Sequence, residues 1–143
     1  MKIPMVELRV VREAGVKYDA RSRILTPGAL YWFVRPMIEG LCEERFFAIH
    51  LNSQSRPISI QEISRGMVNL TMAHPREVFR GAIAAGAVSI ACAHNHPSGD
   101  PTPSRDDIAL TKRLVDAGRI VGIPMIDHLV VTEDEFASID KGD

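Results

Sequence analysis

The feature of this sequence that most constrains its fold is an apolar run at residues 87–93, followed directly by His94 and His96. A short apolar run bounded by turn residues is typical of a buried strand. The loop after it contains Gly99 and three prolines, which are strong turn signals, and it leads into a helical pattern that begins at Ser104. A histidine pair at the mouth of a buried strand, facing the start of a helix, indicates the kind of place where α/β folds carry their chemistry.

Strand and helix patterns alternate along the rest of the chain. Runs rich in apolar and β-branched residues predict strands at residues 6–11, 45–51, 57–64 and 124–131, with a further extended piece at 67–72. Amphipathic segments predict three helices, which start at Thr26, His74 and Ser104 and end at Gly40, Gly86 and Gly118. Residues 119–122 are expected to be a link, and residues 132–136 a capped helical turn. These elements predict an α/β fold with a mixed sheet and packed helices, in which residues 45–51 and 57–64 form an antiparallel hairpin.

A chain of 143 residues suits one domain with one core. We expect residues 1–25 to form an N-terminal edge strand and loop, and residues 26–143 to form the main body of that domain. An unpaired edge strand also offers a surface on which a homodimer can form.

Charge and composition exclude several classes of protein. The formal net charge is −1, so a basic field over the whole domain for nucleic acid is absent, and the N-terminal segment mixes both signs of charge. The two cysteines, Cys42 and Cys92, are not in a Cys-x-x-Cys pair, which excludes a thiolate zinc knuckle. With no signal peptide and no long apolar span, the expected location is the cytoplasm, away from any membrane.

His94, His96 and Asp107 have the residue types and spacing of a metal site. Residues two apart on a strand share one face, so the two imidazoles can converge on one ion. Asp107, in the first helical turn, can complete a three-ligand zinc site that leaves a fourth position for water. A purely structural interpretation stays open, because Ser104 and Asp107 also form a capping box and an acid there favours the helix dipole.

These residues carry a resemblance to a known family. The pattern His-x-His-Pro, six residues, Ser, two residues and Asp resembles the signature of the JAMM (MPN+) metalloproteases. The wider run from His94 to Leu114 is similar to the RadC branch of that family, as are Ser64-Arg65-Gly66, His74 to Phe79 and Asp127-His128. The resemblance extends from about Thr26 to Val131. It implies a mostly antiparallel sheet with flanking helices, in a three-layer architecture like that of the cytidine deaminases.

The resemblance also implies a role for each matching position. His94, His96 and Asp107 would bind Zn²⁺, and Ser104 would stabilise the oxyanion of a tetrahedral intermediate. The family's general base, a glutamate ahead of the metal motif, corresponds to Glu44, although a slip of one residue would make it Glu43.

The pair Asp127-His128 carries no role from the family. Asp127 could be a hydrogen-bond partner of a ligand histidine, and a buried pair that simply caps the strand is equally compatible with the sequence.

Two main functions follow from the resemblance. The first is a zinc hydrolase that cleaves an amide or isopeptide bond in a peptide substrate. The second is a RadC-like role on or near nucleic acid, in DNA repair or on mobile elements, to which the charge balance gives little support. No helix-hairpin-helix pattern precedes Thr26, so the chain resembles a short, stand-alone form of RadC. A non-catalytic scaffold fits poorly with an intact motif, and a deaminase is excluded because Asn95 stands where a deaminase needs glutamate.

Overall fold

A computed structural model describes residues 1–15, 17–19, 22–68 and 73–142 of the chain. Its described residues form three helices and one five-stranded sheet with the strand order β2-β1-β3-β4-β5. In chain order the elements are α1 (Pro27–Ile38), β1 (Arg45–Leu51), β2 (Pro57–Arg65), α2 (Pro75–Ala84), β3 (Ser89–Asn95), α3 (Arg105–Val121), β4 (Met125–Val131) and β5 (Phe136–Ser138).

The sheet is mixed and mostly antiparallel, as the sequence predicts. Strands β1 and β2 form the predicted antiparallel hairpin, and β1 also pairs antiparallel with β3. The one parallel pair is β3 with β4, which α3 connects, and β5 pairs antiparallel with β4 at the far edge. The predicted histidine-bearing strand is therefore central, with a neighbour on each side.

Helices cover both faces of the sheet and make three layers. On one face, α1 packs Leu30 and Val34 against alternate residues of β1, β3 and β4. On the other face, α2 and α3 pack Val78, Leu110 and Leu114 against the intervening residues of the same strands. Because β3 is covered on both faces, all seven of its residues are buried, which explains why its sequence shows no polar alternation.

The helices begin where their capping residues predict. The Thr26 hydroxyl accepts a hydrogen bond from the Ala29 N–H at 3.1 Å, and Pro27 occupies the first turn of α1. The His74 ring nitrogen Nδ1 plays the same part for α2, accepting from the Arg76 N–H at 3.0 Å. Trp32 belongs to the apolar pattern that predicts α1, and a buried position is expected for it, but its side chain is 71% exposed.

Three local predictions were wrong, and a fourth falls mostly outside the described residues. Residues 6–11 form no strand and their apolar side chains are exposed, because an alternating pattern still needs a neighbouring strand to pair with. Residues 132–136 are not a helical turn: the Thr132 hydroxyl accepts from the Glu135 N–H at 2.9 Å, and the chain then enters β5. Of the extended piece predicted at 67–72, Met67 and Val68 are in no strand, and residues 69–72 lie outside the described residues.

The third error concerns the end of α3. Gly118 was predicted to stop this helix, but the helix continues to Val121 and ends at Gly122, which adopts the left-handed conformation with φ 76°. Gly118 is instead buried in the helix, where a Cβ would lie 2.7 Å from the backbone oxygen of Ile123. That segment cannot easily move away, because the Ile123 N–H donates to the Gly118 carbonyl at 3.0 Å. Gly118 therefore allows the chain to turn tightly from α3 into β4.

This close approach gives a test of the packing. We expect Gly118→Ala to lower the free energy of unfolding by about 1–3 kcal/mol, since overpacking against the backbone outweighs the better helix propensity of alanine. Chemical denaturation of the two proteins measures the difference. Gly28→Ala in α1 is the matched control, since its Cβ would meet only the Thr26 hydroxyl at 3.9 Å. Equal stability of the Gly118 variant and the parent would contradict the assigned contact.

None of the helices within the described ranges is both long enough and apolar enough to cross a membrane.

Candidate metal centre

Three potential metal ligands from separate parts of the chain meet at the end of β3. His94 Nε2 lies 3.1 Å from Asp107 Oδ1, and His96 Nε2 lies 3.2 Å from Asp107 Oδ2. One ligand atom from each of the three residues falls within 4.8 Å of the other two. The structure therefore brings together the three residues that the sequence singled out as metal ligands.

The backbone around β3 explains how the two histidines face the same way. His94 is in the last part of β3, paired with Phe46 on one side and Val130 on the other. His96 lies just beyond the strand, but its N–H still donates to the Val131 carbonyl at 3.0 Å. The strand geometry therefore continues far enough to keep the two-residue period.

A tight loop then returns the chain to the site. The Gly99 N–H donates to the His96 carbonyl at 3.1 Å, and Gly99 adopts φ 88°, a conformation that glycine tolerates well. The Asp100 carboxylate next accepts from the N–H and hydroxyl of Thr102. These turns place the first turn of α3 opposite the histidines.

Asp107 is both a helix-capping residue and a site residue. Its Oδ2 accepts from the Ser104 N–H at 2.8 Å, and the Ser104 hydroxyl accepts from the Asp107 N–H at 3.0 Å, which completes the predicted capping box. The same carboxylate faces both imidazoles and is only 2% exposed. The structural and the metal-binding interpretations of Asp107 are thus compatible, since the cap holds the carboxylate in place.

The hydrogen bonds of His96 show which of its nitrogens can bind a metal. His96 Nδ1 lies 3.0 Å from the Asp100 carbonyl, and because a carbonyl only accepts, Nδ1 carries the proton. A neutral His96 therefore has its lone pair on Nε2, aimed at Asp107.

A cation fits between these groups. His94 Nε2 is buried and makes no hydrogen bond within the described residues, although it faces the same carboxylate. Lone pairs of two imidazoles that face a carboxylate repel it unless protons or a cation lie between them. Two histidine nitrogens and a carboxylate oxygen are ligands that suit zinc, so this set could hold a divalent metal.

The electrostatics agree with a site built for positive charge. Burial alone would raise the pKa of Asp107, but the close contacts with His94 and His96 reverse that effect and hold this pKa well below its ordinary range. The close contact with the Asp107 carboxylate raises the pKa of His96, against the lowering effect of burial. The carboxylate is therefore charged, as a metal ligand must be.

Glu44 borders this cluster and is held by backbone contacts. Its Oε1 lies 4.0 Å from His96 Nε2, while its Oε2 accepts from the Val68 N–H at 3.1 Å.

Asn95, between the two histidines, clamps the chain on either side of Glu44. Its side chain accepts from the Arg45 N–H at 2.7 Å and donates to the Glu43 carbonyl at 3.0 Å.

The hydrogen bonds of Asn95 place Glu43 and Glu44 in different surroundings. Glu43 takes part in these bonds through its carbonyl alone, and its residue is exposed. Of the pair that the sequence left open, Glu44 is the one whose carboxylate faces the histidines.

Ser104 is exposed at the start of α3. Its hydroxyl oxygen accepts from the Asp107 N–H, and that bond does not use the hydroxyl proton. Its predicted contact with an oxyanion stays a prediction.

Sequence reasoning assigned no role to two residues behind the site, His128 and Thr111. His128 Nε2 lies 2.9 Å from His94 Nδ1, and His128 Nδ1 lies 2.7 Å from the Thr111 hydroxyl, all of them buried. Thr111 follows Asp107 by four residues and so shares its helix face, which is a signal that the sequence contains. The contact with His128 depends on the parallel pairing of β3 with β4, which no local pattern encodes.

The possible link between Asp127 and a ligand histidine is not realised. Asp127 Oδ1 accepts from the Ser138 hydroxyl at 2.6 Å and from the His128 N–H at 2.9 Å. It therefore stabilises the junction of β4 and β5, on the side of the strand away from the metal ligands.

Several known proteins are similar to this chain in sequence. A family model described as a RadC-like JAB domain matches residues 6–143. A UPF0758 protein of Geobacillus sp. (strain WCH70) is 45% identical over 132 residues, which is 92% of this chain and 58% of that protein. UPF0758 proteins of Bacillus cereus (strain B4264) and Geobacillus thermodenitrificans (strain NG80-2) are each 43% identical, over 92% and 94% of this chain and 59% of theirs. The chain thus spans under two thirds of these relatives, and it belongs to the RadC-like JAB domain family.

Proposed function

We propose that this protein is a zinc-dependent hydrolase of the JAMM type that cleaves an amide or isopeptide bond in a peptide substrate. The observation that carries this proposal is the convergence of His94, His96 and Asp107, with two imidazole nitrogens within 3.1–3.2 Å of one buried carboxylate. Membership of the JAB domain family supports the same conclusion. The near-zero net charge favours a peptide over a nucleic acid as the substrate.

In this proposal each residue of the site has a distinct task. His94, His96 and Asp107 would hold the zinc ion and leave one position open. When bound in such a site, zinc supplies an activated water whose pKa falls to about 7. Glu44 would be the general base that takes a proton from the attacking water and the acid that delivers it to the leaving amine. The Ser104 hydroxyl donates a hydrogen bond to the developing oxyanion, an interaction worth about 3 kcal/mol when the donor is well placed.

The position of Glu44 suits a proton carrier. Its side chain is 31% exposed, and one carboxylate oxygen is tied to the Val68 N–H. The other oxygen lies on the histidine side and is 4.0 Å from His96 Nε2. A base held by one oxygen and free at the other can take a proton without moving its backbone.

Metal binding is the first test. We expect the purified protein to bind zinc near 1:1, and Asp107→Asn to lower the affinity by more than about 100-fold, because loss of an outer partner alone costs 10–100-fold. An asparagine can still accept the Ser104 N–H, so the cap and the fold are retained. Elemental analysis and competition titration give occupancy and affinity. The control is Asp106→Asn, one residue away and exposed, and equal affinities in the two variants would remove Asp107 from the ligand set.

Catalysis is the second test. A screen of peptide and isopeptide substrates with the zinc-loaded protein should find one that is cleaved. We expect Glu44→Gln to bind zinc normally and to lower kcat by about 10²–10⁴-fold, the usual contribution of a general base. Glu43→Gln is the matched control and should keep the parent rate. Loss of turnover in the Glu43 variant alone would transfer the role to that residue.

The Asn95 clamp gives a third test. Asn95→Ala leaves the Glu43 carbonyl and the Arg45 N–H without this partner, so we expect it to cost about 1–3 kcal/mol of unfolding free energy. Zinc affinity should change little, because neither ligand histidine hydrogen-bonds to Asn95. Turnover should fall because Glu44 is no longer held in place. Stability and turnover that both match the parent would rule out the clamp.

A further inference from the structure

We propose that Thr111 and His128 are positioning residues that fix the tautomer of His94, so that its Nε2 lone pair is kept for the metal. The proposal deepens the proposed zinc site and rests on it. It comes from a chain of four hydrogen-bonding groups that runs from the backbone of α3, through Thr111 and His128, to His94.

The chain has a defined direction because it starts at a group that only accepts. The Thr111 hydroxyl lies 2.7 Å from the Asp107 carbonyl, one helical turn earlier, and must donate its single proton there. The hydroxyl oxygen can therefore only accept from its other neighbour, His128 Nδ1, at 2.7 Å. His128 must then carry a proton on Nδ1.

The direction continues through His128. Both of its ring nitrogens meet uncharged groups, a hydroxyl and an imidazole, and the residue is fully buried. A charged ring there would be costly, since its two hydrogen-bond partners within the described residues are both uncharged. A neutral His128 with its proton on Nδ1 has a lone pair on Nε2, and that lone pair accepts from His94 Nδ1 at 2.9 Å.

The last step reaches the metal centre. With its proton on Nδ1, a neutral His94 has its lone pair on Nε2, the atom 3.1 Å from Asp107 Oδ1. Metal-binding histidines commonly donate their other N–H to a carboxylate, a carbonyl or water, which sets their tautomer and orientation. Here the neutral ring of His128 accepts the N–H of His94 in place of such a group. Thr111 in turn sets the tautomer of His128.

Packing against Phe46 holds the rings of His94 and His128 in their relative positions. The Phe46 ring lies parallel to His94, with centroids 6.0 Å apart, and edge-on to His128, with centroids 5.2 Å apart. Asp107 and Thr111 are on the same face of α3, so one helix supplies both a metal ligand and the start of the chain that orients another ligand. A shift of α3 would therefore disturb both contacts together.

The sharpest test is spectroscopic and needs no variant. Long-range ¹H–¹⁵N NMR of the imidazole rings distinguishes a protonated from an unprotonated ring nitrogen. We expect His128 to be the Nδ1–H tautomer, both without metal and with zinc, because the Thr111 hydroxyl imposes it in either state. A His128 with its proton on Nε2, or with both nitrogens protonated, would overturn the proposal.

The second test uses variants at Thr111. Thr111→Val has a similar volume but can neither donate to the Asp107 carbonyl nor accept from His128, so zinc affinity should fall by about 10–100-fold. Thr111→Ser keeps the hydroxyl and should restore an affinity close to that of the parent, which a simple packing role would not predict. Parent-like affinity in the valine variant would also overturn the proposal.

The two proposals fail in different ways. A protein in which His128 is the Nδ1–H tautomer, but which binds no zinc, would refute the metal centre and leave the tautomer assignment in place. A protein that binds zinc tightly with His128 in the other tautomer would do the reverse.

Discussion

The interaction on which this structure depends is the buried carboxylate of Asp107 between two imidazoles. The same group caps α3, contacts His94 from β3 and contacts His96 from the following loop. A negative charge that is almost fully buried is tolerable only when it is paired and hydrogen-bonded, and here each oxygen faces a histidine while one also accepts from the backbone. The start of the helix, the end of the central strand and the loop between them are therefore held by one side chain.

The layered fold provides the rigid support for that contact. Because β3 has a strand on each side and helices on both faces, its end cannot move independently of the core. Asn95, at this end, uses its side chain to bind the backbone on either side of Glu44. The residue between the two histidines thereby joins the metal-binding strand to the segment that carries the proposed base.

A second layer of buried polar groups lies behind the ligands. Thr111 and His128 form a hydrogen-bonded chain whose direction follows from one backbone carbonyl, and both residues are completely buried. A fully satisfied buried network of this kind specifies a single arrangement, because any other proton placement would leave a donor facing a donor or an acceptor facing an acceptor. This explains why a ligand histidine deep in the core can present one defined nitrogen to the site.

The sequence by itself determined the central elements, the capping residues of all three helices and the three residues that meet at the site. Those features are local: a seven-residue apolar run, prolines and capping side chains at helix starts, and two histidines two residues apart. Only the tertiary structure decided which of Glu43 and Glu44 faces the site, that residues 6–11 have no strand to pair with, and that Gly118 is needed for a close approach and does not end its helix. It also decided that His128, and not Asp127, supports His94, because that contact is created by the parallel pairing of β3 with β4. Strand pairing and close packing join residues that are far apart in the chain. No local sequence pattern predicts these contacts, because the residues around one partner do not depend on the identity of the other.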